Sequence, residues 1–161
     1  MGTEATTETL LVRQDVEFLL FDWLQLDELT ARERFAGQSR DDYQAVLALA
    51  EQLASELFAP HNRAADINEP ELEDGAVRLV PEVQTALDAF ADAGFMGISI
   101  GSEHGGMQLP LTLSSAVFAW FQAANPGTSA YAMLTSAAAN MLTVNGSAEQ
   151  AQKWVPPMTE G

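Results

Sequence analysis

Between Leu10 and Leu26, apolar Val16, Leu19, Leu20 and Trp23 recur at helical spacing among Arg13, Asp15, Glu17 and Asp22. That is the pattern of an amphipathic helix. A shorter helical piece is expected over 27–35. Ser39 with Asp42 three residues on is a capping-box signature, and Tyr43, Val46, Leu47, Ala50, Leu53, Ala54 and Leu57 then trace one apolar stripe. The acidic run Asp66–Asp74 (DINEPELED) has a proline and no periodicity, so it reads as a solvated loop. Pro81 suits the first turn of the next helix, which runs over 83–93, and Gly94 is placed to end it in a left-handed conformation. Met96–Ile100 reads as a short extended run and Gly101–Gly106 as a glycine-rich loop. Apolar positions 113, 116, 117, 120, 121 and 124 predict a helix over 112–124 that stops at Asn125, Pro126 and Gly127. A second helix follows from 128 to 144 and stops at Asn145 and Gly146; Ser147 with Gln150 caps a final one. There is no internal repeat. The expected fold is all-α, a bundle-like domain of about six helices with a buried, uncharged helical hairpin.

That hairpin is the unusual feature. From His104 to Ala148 there is no Asp, Glu, Lys or Arg, although the rest of the chain is densely charged. A small domain can cover one such helix on all sides but not two. Part of the hairpin is therefore expected to face another domain, a subunit or an apolar ligand. A membrane hairpin fits worse, because Gln122, Asn125, Pro126 and Asn140 interrupt it and neither arm reaches the ~20 apolar residues that a span requires.

Composition narrows the choices further. A chain of 161 residues with 47% hydrophobic content can bury one continuous core, so a single domain over 1–161 is expected. Its net charge of -16 opposes nucleic acid and anionic lipid surfaces. Cysteine is absent, which removes disulfides and thiolate chemistry. Met1–Thr9 is polar and acidic and unlike a secretory signal, so it is expected to be disordered and the protein cytoplasmic.

The search for reaction chemistry yields little. His61 and His104 lie far apart, neither with a second ligand at metal spacing. His61, after Pro60 at a helix bend, reads as a surface or cap residue. No Gly-x-Ser-x-Gly elbow marks a nucleophile. The acidic run has Glu71 where a calcium loop needs glycine, and Gly105 and Gly106 lack phosphate-loop spacing and read as turn residues. Asn145–Ser147 is a glycosylation sequon that reads instead as a helix end. No catalytic, cofactor-binding or metal residue is expected in this chain.

Three segments taken in order nevertheless resemble the amino-terminal helical domain of the acyl-CoA dehydrogenase family. Leu57–Arg63 (LFAPHNR) is similar to the end of that family's early helix. Ala93–Pro110 (AGFMGISIGSEHGGMQLP) resembles its "GF-G...P-E-YGG-G-P" segment, and Gly146–Gly161 (GSAEQAQKWVPPMTEG) its "G-EEQK-YLP...GE" ending. Asp15–Leu20 and Ala123–Leu134 lean toward the branch with an extended N-terminal helix. Departures from the pattern are Gly101 where proline is usual, His104 for tyrosine, and Ala119–Phe121 where acidic residues commonly sit.

The resemblance implies an FAD enzyme of three domains, in which a glutamate removes the α-proton of an acyl-CoA while the β-hydrogen leaves as hydride to the flavin. Only the first domain would be present here. The base and most flavin contacts lie in the middle β and C-terminal helical domains, so this chain is expected to be inactive and to hold no cofactor alone. Its implied partners are acyl-CoA and those two domains or a chain carrying them, within an oligomer. By the same resemblance the acyl pocket draws on Phe121, Tyr131, Leu134, Thr135 and Ala138. Two other readings stay open: a split subunit that pairs with a flavin-binding chain, and a stand-alone acidic interaction module.

Overall fold

The computed structural model of the protein describes residues 9–161. The segment expected to be disordered, 1–9, lies outside them except for Thr9. Seven α-helices run through the described residues: α1 Arg13–Glu17, α2 Arg40–Leu53, α3 Asn62–Ile67, α4 Pro81–Asp92, α5 Leu111–Ala124, α6 Pro126–Asn145 and α7 Ala148–Glu160. The α1 helix continues as a π-helical stretch, Phe18–Trp23, and short 3-10 turns carry the chain on through Leu26–Ala31 and Glu33–Phe35.

Helix α2 begins as its sequence dictates. Ser39 accepts the amide of Asp42 while Asp42 takes the amide of Ser39 at 2.8 Å, which satisfies two amides that the helix cannot pair internally. Its apolar stripe delivers Tyr43, Leu47 and Ala50 into the core. The rod then widens into a π-helical stretch, Ala54–Phe58, and tightens at Ala59–His61 before α3. Pro60 lies within this irregularity and is its cause, because its ring cannot sit under the carbonyl four residues earlier.

An aromatic cluster locks the rod to α4 and α5. Phe121 meets Phe58 and Phe90 edge-on at 4.7 and 4.8 Å between ring centroids, and Phe90 meets Phe95 at 5.5 Å, the geometry that ring quadrupoles favour. A smaller cluster of Ile100, Ala139, Ala151 and Val155 ties α6 to α7. Burial, together with Asp27 and Asp42, holds the Tyr43 phenol above its ordinary value, and its hydroxyl donates to Gln38 at 2.9 Å.

Three expectations need correction. Met96–Ile100 is not extended: Phe95–Gly97 forms a 3-10 turn, entered through Gly94 at φ +77°. Among the described residues no strand lies beside it to accept a ladder, so the run satisfies its amides locally, and Met107 and Leu109 fold back to donate to the carbonyls of Gly97 and Ile98. That return is why Gly106 must be glycine, since a Cβ there would collide with the carbonyl oxygens of Ile100 and Gly97.

The acidic run is solvated, but it is not all loop. Glu71–Glu73 pairs antiparallel with Ala76–Arg78, as β1 and β2, through a turn at Asp74 and Gly75 with φ of +51° and +81°. Asp-Gly favours this two-residue turn without help from a core.

His61, read as a surface or cap residue, does stand at the N-cap position of α3, but it is 2% exposed and so not on the surface. Its Nδ1 donates to the Leu57 carbonyl at 2.7 Å, and its Nε2 lies 2.8 Å from the Thr128 hydroxyl on α6. The bend at Pro60 turns the ring inward, and two partners meet the needs of both nitrogens.

Candidate functional site

The two arms of the uncharged hairpin are treated differently. Helix α5 buries most of its large apolar side chains, Leu113, Val117, Trp120, Phe121 and Ala124 among them, although Leu111 at its start is 72% exposed. Helix α6 buries only one side, through Thr128, Ser129, Ala132 and Ala139. Its other side leaves Tyr131, Met133, Leu134, Met141 and Val144 exposed to solvent.

The start of α6 is fixed with more polar contacts than the sequence signals. Asn125, fully buried, caps the helix by accepting the Thr128 amide at 3.0 Å and donates to the Phe58 carbonyl at 3.2 Å. Together with the His61 to Thr128 bond, this ties the first turn of α6 to the bend after α2. Further along, Ser136 donates to the Met96 carbonyl at 2.8 Å. A face held by bonded, buried groups presents its outer side chains in one fixed position.

Of the residues that the resemblance points to, Tyr131, Leu134, Thr135 and Ala138 fall at i, i+3, i+4 and i+7 and so share one stripe of α6. Tyr131 and Leu134 are 43% and 67% exposed, and Thr135 and Ala138 are half-buried. The Thr135 hydroxyl donates to the Tyr131 carbonyl at 3.3 Å, which leaves the Tyr131 phenol as the one side-chain donor of the stripe without a partner among the described residues. Phe121 stands apart, sealed inside the aromatic cluster.

Beside Tyr131 opens a pocket of about 350 Å³, lined also by Asn62, Asp66, Glu69, Val83 and Thr128. Among the described residues no three His, Asp or Glu side chains are grouped to hold a metal ion. Among the described residues no helix is long and apolar enough to cross a membrane.

Sequence reasoning missed His61 and Asn125 as anchors. A signal existed for the histidine: it continues the stripe of Ala54 and Phe58 at helical spacing. Nothing local marks the carbonyl of Phe58 as the partner of Asn125.

The anchor is testable. His61→Leu is expected to cost about 1–3 kcal/mol of stability by leaving the Leu57 carbonyl and Thr128 hydroxyl buried without their partner. His61→Leu combined with Thr128→Val is expected to lose less than the sum of the two single changes. Urea unfolding of the set checks this, and strict additivity would show that the pair is not coupled.

A helical domain that leaves one apolar helix side exposed carries the kind of surface that usually marks an interface or a ligand groove. The family model described as "Acyl-CoA dehydrogenase, N-terminal domain" matches residues 40–161. The chain belongs to the acyl-CoA dehydrogenase family, as its N-terminal domain. A curated relative, the 3-methylmercaptopropionyl-CoA dehydrogenase of Ruegeria pomeroyi, is 28% identical over 148 residues, which cover 92% of this chain and 25% of the relative. The chain thus spans about a quarter of the length of that relative.

Proposed function

We propose that this domain forms one wall of the acyl pocket in an FAD-dependent acyl-CoA dehydrogenase and packs its α6 face against the enzyme's other domains. The observation that carries the reading is the uncharged stripe Tyr131, Leu134, Thr135 and Ala138, held on a rigidly anchored helix in a domain of this family.

The chemistry suits the tail of the substrate and not its reacting end. Covering an apolar acyl chain with this stripe yields about 0.8 kcal/mol for each CH₂ withdrawn from water, and the bonded Thr135 hydroxyl imposes no unmet polar demand. The stripe has no cation with which to meet a flavin diphosphate and no ionisable carboxylate, so we assign the stripe itself to the acyl tail and not to FAD or to proton transfer. Its share of the reaction is to orient the tail and exclude water while α,β-desaturation takes place elsewhere. The substrate class is an acyl-CoA thioester, and short thioether acyl groups such as 3-methylmercaptopropionyl belong in the first panel tested.

The test is photolabelling of the complete dehydrogenase with an acyl-CoA that carries a diazirine at the end of its tail. Label is expected on α6, at Tyr131 or Leu134. Label confined to residues outside 126–145 would sink the reading.

A further inference from the structure

The joint between α6 and α7 carries a pair of residues that the acyl-pocket reading does not use. Asn145 ends α6, Gly146 leaves it in an extended conformation at φ -78° and ψ 166°, and Ser147 caps α7. Glycine is required by a close approach, because a Cβ at 146 would lie 2.5 Å from the carbonyl oxygen of Leu142. The sharp return between two helices thus puts a glycine directly after an asparagine.

That order of residues is chemically reactive. The backbone nitrogen after an asparagine can attack the side-chain carbonyl carbon and close a five-membered ring, and any side chain on the following residue stands in the way. Of the five asparagines, Asn145 alone precedes glycine: Asn62, Asn68 and Asn140 precede Arg63, Glu69 and Met141, and Asn125 precedes Pro126, whose nitrogen has no hydrogen to lose.

The surroundings of Asn145 do little to restrain it. Its side chain is exposed and makes one long bond, 3.4 Å from Nδ2 to the Met141 carbonyl. It takes no part in capping α7, which Ser147 and Gln150 complete between themselves. The Gly146 amide donates to the Leu142 carbonyl at 2.9 Å, but this is the last bond of α6, and bonds at helix ends open at little cost. Asn125 is the contrast, held in the core by the Thr128 amide and the Phe58 carbonyl.

We propose that Asn145 is the deamidation site of this chain. The Gly146 nitrogen bonds to Cγ of Asn145 while the bond from Cγ to Nδ2 breaks, and the proton lost by Gly146 departs on the leaving nitrogen as ammonia. Water then adds to one of the two imide carbonyls and opens the ring to aspartate or isoaspartate. Nothing is oxidised or reduced, and water is the only co-reactant. The product puts a carboxylate into the stretch from 104 to 148 that otherwise has no Asp, Glu, Lys or Arg. It stands at the C-terminal end of α6, where the aligned peptide dipoles oppose a negative charge. Isoaspartate also lengthens the backbone by one carbon at the joint across which Ala139 packs with Ala151 and Val155. Ageing therefore loosens α7 from α6.

The test is incubation of the folded chain in mildly alkaline buffers below its melting temperature, followed by peptide mass mapping, with electron-transfer fragmentation to separate aspartate from isoaspartate. A gain of one mass unit is expected at Asn145, at least tenfold faster than at any other asparagine and rising in proportion to hydroxide. Because the end of α6 opens readily, the rate in the folded chain is expected to lie within about tenfold of the rate in urea. Asn145→Gln changes an exposed side chain and would need a larger ring. It is expected to abolish the gain, with circular dichroism verifying its fold. Aged protein is expected to melt a few degrees below fresh protein, and Asn145→Gln to keep its melting temperature through the same incubation.

A gain at Asn145 that appears only in urea would show that the end of α6 stays closed, and overturns the proposal. So does a faster gain at Asn62, Asn68 or Asn140. An equal fall in melting temperature in Asn145→Gln overturns the effect on the joint. None of these readouts involves acyl-CoA, so they stand or fall apart from the acyl-pocket reading.

Discussion

Phe90→Ala is expected to remove about 3–5 kcal/mol of stability, the cost of emptying a buried aromatic site that cannot collapse. Phe90 is fully buried, and its ring has four phenylalanine neighbours, Phe58, Phe95, Phe118 and Phe121, at centroid distances between 4.8 and 6.2 Å. These come from the α2 rod, the 3-10 turn after α4, and α5, so one truncation loosens three elements at once. A domain of this size has about 5–15 kcal/mol in total, and the variant should melt far below the parent or fail to fold. The contrast is Phe18→Ala, the same change at an exposed ring, expected within about 0.5 kcal/mol. Chemical unfolding followed by circular dichroism measures both. Equal losses at the two positions would mean that the aromatic cluster is not what closes this core.

Leu134→Asp is expected to have the opposite profile. Leu134 is on the outer side of α6, so the domain should keep its melting temperature to within a degree or two. In the complete dehydrogenase, however, the carboxylate would be driven against an apolar tail, and leaving a charge desolvated and unpaired costs several kcal/mol. The expected outcome is a fall in kcat/KM of about 100-fold or more, equivalent to about 2.7 kcal/mol. Leu72→Asp, on the exposed β1 strand, is the matched control and should leave kcat/KM unchanged. Acyl-CoA oxidation with a dye acceptor, beside a thermal melt of the same preparations, separates the two effects. Full activity in Leu134→Asp would remove α6 from the pocket.

The two variants divide the hairpin by environment, not by composition. Phe121 and Leu134 are both apolar residues in the same uncharged stretch, and both are candidates for the pocket by resemblance. One is sealed among rings and the other faces outward. A change at Phe121 acts first through the core, so any altered acyl preference there would be entangled with lost stability. A change at Leu134 has no such ambiguity.

The uncharged α5 also gains a physical account from its neighbours. Ala119–Phe121 stand where the family pattern commonly has acidic residues, and in this chain Leu19 and Leu20 line an apolar cleft on that side of α5. Ala119 lines the same cleft, while Trp120 and Phe121 turn into the core. A carboxylate at position 120 or 121 would be buried in an apolar core, at a cost of several kcal/mol unless it were paired.

What the sequence determined by itself was local. The capping boxes at Ser39 and Ser147, the left-handed stop at Gly94 and the apolar stripe of α2 are all written within one or two turns of chain, where hydrogen-bond geometry and helical period decide the outcome. The absence of ionic side chains from 104 to 148 likewise marked two apolar helices, whose side chains are partly in the core and partly exposed. Tertiary structure decided the rest. Only packing turned His61 inward to meet Thr128, folded 96–100 into a turn closed by 107–109, buried most of the large side chains of α5 and left one side of α6 exposed, because each depends on partners far along the chain, from 10 to 67 residues away for the bonded pairs. A periodic pattern states which side of a helix is apolar; which neighbour covers that side, or whether any does, is set by where the chain returns in space.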